Sequence, residues 1–167
     1  MISMLNNTLL FSQIIFMKKV FSNKELQYLS YFIELTNIEP VCIIIRNNYL
    51  FFLVKNNEYF KAKCYLKLIR QQLKNNKALV IREEFTFLRT IFSFFPDTYI
   101  HDIKLEEDAM SKNMVITLFF IFDTDRAIAV GNNGLYINTV NFIFNNSVIY
   151  QLNNKYRVKI QCKKAYI

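Results

Sequence analysis

Apolar residues recur along this chain in two rhythms, the 3.6-residue period of amphipathic helices and short runs that are continuous or alternate. From Lys24, "KELQYLSYFIELTN" sets Leu26, Leu29, Phe32, Ile33 and Leu35 mostly at helical spacing, behind an Asn23 placed to cap the helix. Glu39-Pro40 is expected to stop it. "VCIIIRNNYLFFLVKN" then gives two β-branched and aromatic runs split by Asn47-Asn48, the pattern of a hairpin. In "YFKAKCYLKLIRQQL", Ala62, Tyr65, Leu66, Ile69 and Leu73 share one side and Lys61, Lys63, Lys67 and Arg70 fall elsewhere, which predicts one basic helix. "KALVIREE" follows as a strand.

The second half repeats that order. "FTFLRTIFSFFP" predicts a helix ended by Pro96, and "YIHDIKLEE" and "NMVITLFFIF" predict strands joined by a polar turn at Asp108 to Lys112. "DRAIAV" is a short helix, "LYINTVNFIFNN" a longer one, and "SVIYQL" a closing strand. Each half therefore reads helix, strand, strand, helix or helix-turn-helix, strand, and an order that recurs within one chain carries more weight than either half alone. The tail "NNKYRVKIQCKKAYI" alternates Arg157, Lys159 and Lys163 with Val158, Ile160 and Cys162, as a last strand would. The expectation is an α+β protein with an N-terminal extension over 1–21, a first domain over 22–84, a second over 85–152 and a basic tail over 153–167.

The extension "MISMLNNTLLFSQIIFMKKVF" has an apolar stretch from Leu9 to Met17 but lacks a basic leader and a small-residue cleavage site. Ser12 and Gln13 interrupt it, and it is shorter than the roughly 20 apolar residues that span a bilayer. It is expected to pack on the body or to be partly mobile, and no membrane partner is expected.

With 53% hydrophobic and 20% charged residues, the 167-residue chain reads as soluble and able to bury one core or two small ones. Its 21 Lys+Arg against 13 Asp+Glu leave a formal charge of +8, which favours polyanions. Nucleic acid is the first class and an anionic membrane the second. Cys42, Cys64 and Cys162 are odd in number and far apart, and His101 is the one histidine, so neither a zinc site nor any other cofactor is expected. The thiols are expected to be reduced and packed. The skew to Asn, Lys, Ile, Phe and Tyr is what AT-rich codons produce, pointing to an organelle genome, plastid before mitochondrion, or to the cytoplasm of an AT-rich microbe.

Gly131 and Gly134 are the only two glycines in the chain, and both fall in one turn between two predicted helices. A G-x-x-G turn lets backbone approach a ligand with no Cβ in the way, and the helix after it offers unpaired N–H groups and a positive dipole end. A nucleic-acid backbone suits such a clamp, and strands before and after the helix pair are the context of a KH domain. On the G-x-x-G spacing alone, a plain turn or helix cap is the favoured account. The flanking order and the absence of glycine elsewhere favour the clamp.

The stretch Phe95 to Leu152, with "FP" ending a helix, an isoleucine-rich strand and "VITLFFIFDTDRAIAVGNNGLYINTVNFI", resembles the second type II KH domain of the transcription factor NusA, in its short archaeal form of two tandem KH domains. In that family a basic glycine loop follows "AIG"; here "AIAVGNNG" sets Asn132 and Asn133 where lysine, arginine or glutamine would stand. The first half is similar to the first KH domain in order and length but has no glycine loop, and Phe60-Lys61-Ala62-Lys63 is the segment expected in its place. The resemblance implies RNA contacts at Gly131, Asn132, Asn133 and Gly134, with Arg126, Tyr136 and Asn138 on the flanking helices. Lys61, Lys63, Lys67 and Arg70 would add point charges to phosphates.

Other candidates are weaker. His101 beside Asp102 has no nucleophile to serve, Glu106, Glu107 and Asp108 lack calcium-loop spacing, and most of the ten Tyr and seventeen Phe residues are expected to fill cores. The sequence thus points to a non-catalytic protein that binds single-stranded RNA in transcription elongation or antitermination beside an RNA polymerase. A ribosomal component on rRNA, and a structural subunit whose KH folds dock proteins, remain the alternatives.

Overall fold

The computed structural model describes residues 10–111, 113–151 and 157–166. Residues 1–9 of the expected extension, Lys112 of the expected turn, Leu152 at the end of the expected second domain, and 153–156 and Ile167 of the expected tail lie outside them. The chain is α+β, with helices and, among the described residues, one two-stranded sheet and two three-stranded sheets. It divides into two compact units, Met17–Glu84 in one and the residues up to Phe16 with those from Phe85 onward in the other. A short strand, β1 (Ile15–Met17), is the first strand among the described residues.

In the unit Met17–Glu84, α1 (Asn23–Thr36) begins with a reciprocal cap. Glu25 N–H donates to Ser22 Oγ at 3.4 Å while Ser22 N–H donates to Glu25 Oε2 at 2.7 Å. Ser22 is therefore the cap in place of Asn23, because the hydroxyl lies three residues before a glutamate. The helix ends at Thr36 where Asn37 turns left-handed at φ 54°, so Asn37 and not Pro40 stops it. β2 (Cys42–Arg46) and β3 (Tyr49–Val54) form the hairpin read from the sequence, with Asn47 and Asn48 at φ 50° and 65° as a tight right-twisted turn demands.

The predicted single basic helix is two, α2 (Tyr59–Cys64) and α3 (Leu66–Gln72), parted at Tyr65. The break lets Tyr59 and Ala62 of one and Leu66 and Ile69 of the other reach the same core. In that core Phe32 of α1 stacks on Phe52 of β3, centroids 4.4 Å apart. β4 (Lys77–Arg82) then pairs parallel with β3, so the sheet runs β2-β3-β4.

In the other unit α4 (Phe87–Ser93) stops short of Pro96 and is followed by the antiparallel pair β5 (Asp102–Glu107) and β6 (Met114–Phe120). α5 (Asp123–Val130) and α6 (Leu135–Asn146) come next, then β7 (Val148–Tyr150) and β8 (Val158–Lys164). Phe144 of α6 meets Phe87 and Phe94 edge-on at 5.8 and 5.5 Å, which fixes α4 against α6.

Here the structure corrects the expected order. β8, from the stretch read as a basic tail, is the third strand of this sheet and pairs parallel with β6 from Met114↔Val158 to Phe120↔Lys164. β7, expected to close the sheet, pairs with β1 instead. The extension is thus structural in its described part: Leu10 and Ile15 are buried, Ile15 N–H donates to Phe85 O at 3.0 Å, and Phe87 N–H donates to Gln13 O at 2.9 Å. Each three-stranded sheet has the same plan, a hairpin whose second strand is joined through a helix pair to a parallel third strand. A parallel neighbour needs such a crossover, and in each unit the helix pair supplies it.

Candidate nucleic-acid interface

The glycine turn is built by four residues with distinct backbone demands. Gly131 ends α5 at φ 75°, ψ 173°, a region open to glycine almost alone. A single 3-10 turn, Asn132–Gly134, follows with Asn133 at φ 50° and Gly134 at φ 73°. Gly134 N–H donates to Gly131 O at 3.2 Å, and no side chain caps the first turn of α6. Asn132, Asn133 and Asn138 are exposed around it. Leu135 N–H closes likewise on Asn132 O, so what the turn presents to solvent is the neutral amides of Asn132 and Asn133.

The two glycines differ in what they leave room for. A Cβ on Gly131 would lie 2.6 Å from Tyr136 Cβ and 2.8 Å from Tyr136 N, so this glycine admits the protein's own helix α6. A Cβ on Gly134 would meet only Asn138 Nδ2, at 3.7 Å. Gly134 is the glycine that faces open space.

Tyr136, expected to touch RNA, belongs to the core instead. It is 5% exposed, its ring meets Phe95 edge-on at 5.8 Å, and its hydroxyl donates to Phe94 O. Helical spacing carries its ring inward, and burial then makes its hydroxyl take a backbone partner. Arg126, also expected at RNA, sits 3.6 Å from Asp123 Oδ1, and Lys164 Nζ lies 2.6 Å from Asp123 Oδ2. The Lys164 hydrogen bond, with the two cations' charge, holds the Asp123 carboxyl below its usual range. That carboxylate, in the first turn of α5, offsets part of the charge of Arg126 and Lys164.

A feature the sequence analysis missed borders the same helix. Asn141 takes Ile160 N–H at 2.6 Å and donates to Ile160 O at 2.8 Å; Asn145 takes Val158 N–H at 2.9 Å and donates to Val158 O at 2.8 Å. Each amide mimics a neighbouring strand's peptide, so α6 covers the β8 edge that β6 leaves free. The only sequence signal is asparagine at i and i+4 on a face otherwise apolar. By strand alternation Cys162 is the next residue whose backbone faces that edge, and Asn138 lies further along the helix toward the turn. Burial pushes the Cys162 thiol up to about 12, with Arg126 opposing.

In the unit Met17–Glu84 the counterpart of the turn is the α2–α3 junction at Tyr65. Phe60 to Lys63, expected in that place, lie inside α2. Lys61 and Lys67 are exposed, Lys63 holds its ammonium 5.8 Å from the Tyr59 ring centre, and exposed Arg70 donates from Nε to Ala78 O at 3.0 Å. Cys64 corrects the expectation of packed thiols, since it is exposed while Cys42 is buried. His101 N–H closes on Phe119 O at 2.8 Å beside β5, and the carboxylate of Asp108 receives the Ser111 hydroxyl and the Met110 N–H at the hairpin tip. Among the described residues no helix is long and apolar enough to cross a membrane.

No known protein-family model matches the chain. No curated protein matches it either. A solved structure does: the crystal structure of APE1850 is similar with a TM-score of 0.57 and 22% identity, covering 84% of this chain and 100% of that one. The likeness is one of fold. Its coverage exceeds what either compact unit supplies, so both units share in it.

Proposed function

We propose that this chain is a non-catalytic RNA-binding protein of two type II KH modules, NusA-like in kind, whose second module takes single-stranded RNA in transcription control. The observation that carries this reading is the turn Gly131–Gly134, set between the two crossover helices, with its open glycine and exposed asparagines. A phosphate diester can approach the backbone there and accept hydrogen bonds from the exposed asparagine amides. The same sheet plan in the first unit, without glycines, fits a partner module that contributes charge. Lys61 and Lys67, exposed there, suit that role.

The test is fluorescence anisotropy of a labelled single-stranded RNA at low salt, with the parent, Gly134→Asp and Asn132→Lys. Aspartate tolerates the left-handed backbone of Gly134, so the first variant adds repulsion without dismantling the turn. It should weaken binding by about fivefold or more, whereas Asn132→Lys should strengthen it roughly threefold to tenfold, with both effects shrinking as salt rises. Asn133 is left alone because its φ of 50° would strain a lysine. Equal affinity of all three proteins sinks the proposal.

A second reading is favoured by the lack of charge on the turn itself, Asn132 and Asn133 being neutral, and by Asp123 at the start of α5, which offsets Arg126 and Lys164. On it the modules dock a protein, within a ribosomal particle or another assembly. Co-purification with an RNA polymerase supports the first reading; recovery with a ribosomal particle, or with protein partners and no RNA, supports the second.

A further inference from the structure

In the unit Met17–Glu84, Phe60 keeps 71% of its surface exposed, more than any other phenylalanine among the described residues. Its ring is nevertheless held. The Arg82 guanidinium at the end of β4 lies 5.1 Å from its centre and 4.6 Å from that of Tyr59, and the two rings meet edge-on at 5.3 Å. Tyr59 is 6% exposed, so it anchors the group to the core. Lys63 lies over the same Tyr59 ring, and Lys61 is exposed next in sequence to Phe60.

We propose that Phe60 is a stacking platform for one unpaired base of RNA, with Arg82 and Tyr59 fixing the ring and Lys61 meeting an adjoining phosphate. An exposed ring costs nothing in sequence preference, because every base has a face to lay on it, and a ring already ordered by a cation loses little freedom when the base arrives. Two cations, Arg82 and Lys63, against one aromatic pair, with exposed Lys61 next in sequence, suit a polyanion better than an apolar partner, and the chain's charge of +8 acts the same way. This contact rests on the RNA-binding reading and gives the module without glycines a side-chain route to RNA.

The experiment uses the full chain, a single-stranded RNA carrying 2-aminopurine, and an abasic strand of the same length. Binding of the parent should quench the 2-aminopurine. Phe60→Ala should weaken binding to the base-bearing strand by about fivefold or more and leave the abasic strand unaffected, while Phe60→Trp keeps the parent's affinity. Phe60 is exposed, so unchanged thermal unfolding of the variants should accompany these results. Equal affinity of Phe60→Ala and parent for the base-bearing strand overturns the platform and leaves the RNA reading standing, as does an equal loss on the abasic strand. A parent that binds neither strand overturns both.

Discussion

Gly131 and Tyr136 touch so closely that the glycine's missing side chain is the space the tyrosine backbone occupies, 2.6 Å from Tyr136 Cβ to where a Cβ would stand. The tyrosine in turn reaches across to Phe94 O with its hydroxyl, so the turn, the start of α6 and the chain just after α4 are fixed together. One of the two glycines therefore serves the fold, and the other faces open space.

Replacing the two glycines should separate these roles. Gly131→Ala combines a backbone region closed to alanine with an overlap, and should cost about 3 kcal/mol or more in urea unfolding. Gly134→Asn, at a left-handed position with open space, should cost well under about 1 kcal/mol. Equal losses at the two positions would show that the turn is not packed on Tyr136 as described.

The asparagine clamp on β8 should be visible in stability and in amide exchange. Asn141→Leu or Asn145→Leu leaves one N–H and one C=O of β8 without partners and should cost about 1 to 3 kcal/mol each. The double variant should cost less than the sum, because loss of one clamp already loosens the strand the other holds. Exchange at Ile160 should rise in the first variant and at Val158 in the second; unchanged exchange at both counts against the clamp.

The three thiols should differ in reactivity and in their effect on alkaline stability. Cys64 is exposed and should react within minutes with a maleimide at neutral pH, ahead of Cys42 and Cys162, as read by mass spectrometry of peptides. Burial, helped by Glu25 and opposed by Lys19, raises the Cys42 thiol from 9.0 to about 11, and burial raises Cys162 to about 12. A raised thiol favours the folded state while it stays neutral. Stability is therefore full below the ordinary value of 9.0 and falls as pH climbs toward about 11. Cys42→Ala should make that alkaline decline shallower in urea melts run across this range.

The sequence by itself determined what depends on a few neighbouring residues. Asn47-Asn48 sets a hairpin because asparagine accepts the left-handed backbone that the turn needs, and the strands on either side are β-branched or aromatic whatever they pair with. The placement of both glycines between two helices was legible for the same reason. The Ser22 cap was also local and could have been read from the glutamate three residues on. Tertiary structure decided which strand joins which sheet. "SVIYQL" and "YRVKIQCKK" both alternate like strands, and only the longer one pairs along all of β6 while α6 covers its other edge. Tertiary structure also decided that Tyr136 is core and not contact, and that the asparagines of α6 hold a strand. Periodicity says which residues share a face, but burial and pairing depend on what that face meets from far along the chain.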